Sequence, residues 1–211
     1  MRVTFTELGP AEFRRAIREF VAVYAAAMNP PDRMLTGRDA ILDRHAANPG
    51  FRALAAFAEA AELAGFTYGF HGAPGQWWHD TVAGALALTP GRPTVNARDG
   101  VTGGRGWLED SFEVAELHVV PDRQGMGIGR ELLLRLTTDR IERTAVLSTA
   151  DTESRARRLY RRVGFTDLLT GFRFAGGEPP YAVMGAALPL LRSDWEAPGS
   201  RSPRSPSPRS W

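Results

Sequence analysis

Cysteine and lysine are both missing from this chain. Without cysteine there is no disulfide framework, no thiol nucleophile and no thiolate metal site. Without lysine all 26 basic residues are arginine, and a P-loop, which needs Gly-Lys-Ser/Thr, is excluded. His45, His71, His79 and His118 are scattered without ligand spacing, so no metal is expected. No apolar run reaches membrane-spanning length, and Met1-Arg2-Val3-Thr4-Phe5 lacks the apolar core of a signal peptide. The expectation is a soluble cytoplasmic protein with no membrane partner. Excess charge is scarce too. The formal net charge is +2, and residues 192–211 account for it, with four arginines against Asp194 and Glu196. Residues 1–191 are therefore formally neutral and show no nucleic-acid footprint.

What the chain does have is a strand, turn, glycine loop and helix past its middle. Val114 to Val120 is β-branched and apolar enough for a strand, and Pro121 ends it by removing a ladder donor. Gly125, Gly127 and Gly129 follow at every second position, and Ile128, Leu132, Leu133 and Leu136 then recur at helical spacing. A helix that starts this way leaves its first N–H groups unpaired at the positive end of its dipole, with no side chains to keep a ligand off the backbone. That suits a pyrophosphate. The dinucleotide fingerprint G-x-G-x-x-G fails, because the residue three after Gly127 is Arg130.

The loop does contain Gln124-x-x-Gly127-x-Gly129, which resembles the Q/R-x-x-G-x-G/A motif of the GCN5-related N-acetyltransferase (GNAT) superfamily. Downstream, Ala156-Arg157-Arg158-Leu159-Tyr160-Arg161-Arg162-Val163-Gly164-Phe165 is similar to that family's A-x-x-L-Y-x-x-x-G-F helix end. The specific resemblance runs from about Glu113 to Phe165. It implies an α/β fold of the α+β type, the GNAT fold. This has a mixed, mostly antiparallel sheet of about seven strands, splayed between strands 4 and 5 and flanked by about four helices.

The chain is long enough for one domain with a sizeable core, expected over 1–191. Arg2 to Leu8 reads as a strand, Pro10 to Met28 as a helix, and Gly37 to Ala47 as a second helix with Thr36 as candidate N-cap. Phe51–Glu59 and Glu62–Phe70 read as paired strands. The first is Ala-rich, but Asn48-Pro49-Gly50 favours a turn into a strand, and the family order agrees. Residues 71–110 form a long connection, expected to face the acceptor, with a short helix over Thr81–Leu88 and a loop over Thr89–Gly106. Further helices are expected over Gly127–Arg143 and Thr152–Arg162. Strands are expected over Thr144–Thr149, Asp167–Ala175 and Tyr181–Leu188. The Arg/Ser/Pro-rich stretch 192–211 cannot bury enough apolar area to offset its ordering entropy and reads as a disordered tail.

The resemblance implies acetyl-CoA as co-substrate and direct acetyl transfer to the amine of a small molecule or peptide. A non-catalytic acyl-CoA sensor of the same fold is the alternative, and a homodimer is compatible with the family. Cofactor contacts fall on Arg123, Gln124, Gly125, Met126, Gly127, Ile128, Gly129 and Arg130. Main chain at His118, Val119 and Val120 would meet the pantetheine arm, and Arg157 would meet phosphate. Tyr160 matches the family's general acid for the leaving thiolate. The base is expected on the strand, with Glu116 ranked first, His118 second and Glu113 third. Glu116 and His118 share a face, and Glu113 faces the other way unless a bulge intervenes. Tyr24, Met34 and Leu35 are candidate acceptor contacts or core. Trp77 and Trp78 are read either as closing over an amine or as anchoring the loop. Asp80 is read as a helix-start cap before an acceptor contact. Glu153 stands where the family often has asparagine.

Overall fold

Alternating apolar residues at the N-terminus give strand β1 (Thr4–Leu8), and Pro10 then opens helix α1 (Pro10–Arg15), which turns at Ala16 into α2 (Ile17–Met28). The computed structural model describes residues 2–89, 105–175 and 179–191. The tail 192–211 and most of the expected loop Thr89–Gly106 lie outside them. The chain continues through α3 (Arg38–His45), β2 (Arg52–Phe57), β3 (Leu63–Gly72), α4 (Trp77–Ala87) and β4 (Ser111–Val119). It ends with α5 (Ile128–Thr137), β5 (Thr144–Ala150), α6 (Arg155–Arg162), β6 (Thr166–Phe172) and β7 (Tyr181–Ala187).

The seven strands form one mixed sheet in the order β1-β2-β3-β4-β5-β7-β6. Among the described residues only β4 and β5 pair in parallel, over Ser111↔Thr144, Phe112↔Ala145 and Glu113↔Val146. Beyond Glu113 the two strands part. This is the splay that the GNAT resemblance implies.

Two layers of helices cover the sheet. On one face Phe13, Phe20 and Leu42 of α1 to α3 pack on Phe66, Tyr68 and Phe70 of β3. On the same face, Val82 and Leu86 of α4 pack on Val146 and Val183. On the other face Leu132, Leu133 and Leu136 of α5 and Tyr160 and Val163 of α6 cover Phe112, Leu147 and Met184. Among the described residues there are thus six helices rather than about four, because the first is broken at Ala16 and α4 is added.

Several boundaries differ from expectation for local reasons. Thr36 does not cap α3. Gly37, in the left-handed region at φ 73°, holds the N-cap position, and the Thr36 hydroxyl donates to the Asp32 carbonyl instead. α4 starts at Trp77, four residues early, and Asp80 there accepts the Gly75 N–H at 3.0 Å. α5 stops at Thr137 rather than Arg143. The Thr137 and Thr138 hydroxyls bond back to the Leu133 and Leu134 carbonyls, and Asp139 then turns left-handed.

Candidate active site

Glycine at 127, at φ 86°, sits in a conformation that side chains resist and serves as the N-cap of α5 without a side-chain cap. The first intrahelical bond runs from the Glu131 N–H to the Gly127 carbonyl. The N–H groups of Ile128, Gly129 and Arg130 thus precede it and point out of the helix start. Gly129 is a different case. A Cβ there would meet only Val119 Cγ2 at 3.6 Å and Leu159 Cδ2 at 3.7 Å, which is ordinary contact. The fold does not require glycine at 129, whereas a ligand close to the backbone would.

This loop borders a cleft of about 650 Å3 that opens where β4 leaves β5. His118, Val119, Arg123, Gln124, Gly125, Gly127, Gly129 and Arg130, all expected at the cofactor, line it, as does Tyr160. Val120, Met126, Ile128 and Arg157 do not line it. Ile128, the first residue of α5, is buried in the core. For Val120 the reason is backbone direction. Its N–H donates to the Ala64 carbonyl of β3 at 3.0 Å, and His118 pairs with Phe66, so by strand alternation Leu117 and Val119 turn their main chain toward the splay. The open main-chain groups at the cleft edge are therefore those of Leu117 and Val119 rather than His118 and Val120. Gln124 supports this edge, its Nε2 donating to the Val119 carbonyl at 3.0 Å.

The arginines of α6 divide between two faces. Arg157 is buried and ion-paired, to Asp151 and, at 3.0 Å, to Asp167, so the expected phosphate contact is a structural residue turned away from the cleft. Arg161 pairs with Glu153 at 2.5 Å, so Glu153 is engaged on that outer side. Arg155, Arg158 and Arg162 are spaced i, i+3, i+7, lie along the cleft, and have no acidic partner among the described residues. The arginine expected at phosphate from the sequence is thus outside the cleft lining, and three others of the run are in it. The signal was available in the acids at 151, 153 and 167, which fix which face is satisfied. With Arg123 and Arg130, five arginines and no carboxylate line the cleft.

Strand β4 carries the candidate bases. Gly69 pairs with Val114 and Tyr68 with Glu116, so Ala115 is an extra residue in β4, a bulge. It turns Glu113 onto the face of Glu116 and His118. Glu116 does not present a free carboxylate. Its Oε1 accepts from Arg38 Nη2 and its Oε2 from His118 Nε2. Burial pushes the Glu116 carboxyl up, but His118 and then Arg38 outweigh that and hold it below the usual range. Glu113 is the opposite case. It is 6 % exposed, its Oε2 has no partner, and burial followed by the Glu116 charge pushes its carboxyl up to about 8. Burial likewise raises the Tyr160 phenol well above its ordinary value, with a smaller contribution from Glu116, so it stays protonated.

Of the acceptor candidates, Tyr24 is buried beside His118, the ring centroids 5.1 Å apart, and carries the Arg38 guanidinium over its ring at 3.7 Å. Met34 and Leu35 lie in the α2–α3 connection, outside the cleft lining. Trp78 is tied down by its Nε1, which donates to Ser148 Oγ at 3.1 Å, whereas Trp77 is 64 % exposed against Phe174. Ala27 and Met28 at the end of α2 line the cleft and were not singled out from sequence. Among the described residues no group of three or more His, Cys, Asp or Glu could hold a metal ion, and no helix is long and apolar enough to cross a membrane.

Comparison with known proteins points to one family. The acetyltransferase (GNAT) domain profile matches residues 91–167. The GCN5-like protein acetyltransferase of Mycobacterium tuberculosis is 35% identical over 90% of this chain and 100% of its own length. Among solved structures, a GNAT-family protein of Desulfovibrio desulfuricans superposes with a TM-score of 0.60 at 16% identity, over 88% of this chain and 99% of that one. The PaiA N-acetyltransferase of Thermoplasma acidophilum, solved with coenzyme A, superposes with a TM-score of 0.53 at 13% identity, over 89% and 99%.

Proposed function

Because the chain belongs to the GNAT acetyltransferase family, we propose that it transfers an acetyl group directly from acetyl-CoA to the amine of a peptide or small molecule. The observation that carries this reading is the cleft itself. It has a glycine-framed helix start, the α6 arginines Arg155, Arg158 and Arg162, an open strand edge, and His118 of β4 and Tyr160 of α6 in its lining. The loop N–H groups and Arg130 suit the pyrophosphate, and Arg155, Arg158 and Arg162 suit the remaining phosphate. The pantetheine arm would add to β4 along Leu117 and Val119.

His118 is the base. It lines the cleft, and Glu116 holds its Nε2–H from behind, leaving Nδ1 as the acceptor nitrogen. The acceptor amine gives a proton to His118 and attacks the thioester carbon. The C–N bond forms, the C–S bond breaks, and the Tyr160 hydroxyl protonates the departing thiolate. An acceptor on a protein is supported by the name of the Mycobacterium relative. A second reading gives the base to Glu113, on its unpaired oxygen and raised carboxyl. Acetylation of an amine and peptide panel, followed by released thiol, separates the two. His118→Gln should lower turnover about 100-fold or more with Glu113→Gln near wild type, and the reverse pattern moves the role to Glu113. Tight acetyl-CoA binding with no turnover across the panel would instead favour a sensor.

A further inference from the structure

Four side chains from three elements, Glu116 among them, close a ring. Arg38 of α3 donates to Oε1, and His118 donates to Oε2. Arg38 lies over the Tyr24 ring of α2 at 3.7 Å, and Tyr24 meets His118 edge-on at 5.1 Å. The Arg38, Glu116 and His118 side chains are 16%, 13% and 10% exposed, so water screens them little.

We propose that Arg38 is a positioning residue that shares the Glu116 charge with His118 and so keeps His118 neutral enough to accept a proton. The proposal rests on His118 as base. A carboxylate alone beside an imidazole stabilises the imidazolium and makes a poor acceptor of the next proton. A permanent cation on the other carboxylate oxygen offsets that stabilisation.

The other groups facing the pair carry little fixed charge. His45 of α3 is hydrogen bonded to the Tyr68 hydroxyl of β3 at 3.0 Å, and burial lowers its pKa, so it stays neutral. Burial raises the Tyr68 and Tyr160 phenols, which stay protonated, and Glu113 is protonated below about 8. Arg44 of α3 acts by its charge on His45. Arg38 is thus the fixed cation in contact with Glu116. Because it also stacks on Tyr24, it joins the base to the α2–α3 wall.

The test is an NMR titration of the histidine rings, with His118 assigned from His118→Gln. In Arg38→Gln the His118 midpoint should rise by about one pH unit, and in Arg38→Lys it should return to within about 0.3 unit of wild type. A folded Arg38→Gln whose His118 midpoint does not move overturns the proposal. Should that variant not fold, Glu116→Gln decides the matter, because it leaves His118 facing Arg38 with no anion between them. Its midpoint should then fall below the ordinary imidazole value of about 6.5, and a midpoint at or above that value overturns the proposal. The titration reads charge directly, so its failure is distinct from failure of the base assignment. The latter would show as full turnover in His118→Gln.

Discussion

Gly129→Asp should separate folding from binding. The new Cβ meets neighbours no closer than 3.6 Å, and the backbone there is helical, so neither contact at the Cβ nor backbone conformation resists it. Glycine costs a helix roughly 0.5–1 kcal/mol relative to alanine, and an acid in the first turn gains about 0.3–1 kcal/mol from the helix dipole. The unliganded variant should therefore melt within about 3 °C of wild type, on either side. Binding moves the other way. A carboxylate about 5 Å from a bound phosphate, at an effective dielectric of about 20, costs on the order of 3 kcal/mol, or a Kd raised more than about 100-fold. Calorimetric titration of acetyl-CoA, with melting curves of the free proteins, reads both quantities, and Gly129→Ala controls for bulk. Affinity within about threefold of wild type would refute the placement of phosphate at this helix start. A drop in melting temperature beyond about 5 °C would show that the fold itself needs the glycine.

The two arginine faces of α6 should behave oppositely. Arg158→Ala should weaken acetyl-CoA binding about fivefold and flatten its salt dependence, with stability unchanged. Arg157→Ala should cost about 2 kcal/mol of stability in denaturant melts, by removing the arginine partner of Asp151 and leaving Asp167 with Arg161 alone, with little effect on affinity. Tyr160→Phe should lower kcat about 100-fold at nearly constant KM in single-turnover and steady-state assays. Glu113 predicts a pH dependence of stability. Its carboxyl is raised on folding from 4.5 to about 8, so its favourable contribution is full below about 4.5 and is lost as the pH rises through 8. Glu113→Gln should match wild type near pH 4 and exceed it near pH 9, by up to about 4 kcal/mol in denaturant melts.

The glycine loop and the Tyr160 helix were legible because their chemistry is local. A strand, a proline stop, spaced glycines and a helical stripe all fall within about twenty residues. The Ala-rich β2 was legible through the turn before it rather than through its own residues. The partner of Glu116 was not legible, because Arg38 lies 78 residues away and only the folded wall brings it close. The bulge at Ala115 also defeated parity counting. One extra residue moves Glu113 across the sheet, and nothing in Val114-Ala115-Glu116 marks it. Backbone direction failed similarly. Which of His118 or Val119 faces the splay depends on the register with β3, which pairing sets and composition does not.

The parting of β4 and β5 leaves two strand edges inside a sheet, where most proteins keep theirs at the rim or sealed. An open edge invites pairing with strands of other chains and is a route to aggregation. Here the opening is lined by arginines of α6 and of the glycine loop, and a foreign strand would have to desolvate their charge to reach the edge. The residues proposed to hold the cofactor phosphates would thus also act as gatekeepers. Neutralising them would expose an adhesive seam as well as weaken a ligand site, so aggregation belongs among the expected costs of redesigning this cleft for an uncharged acyl donor.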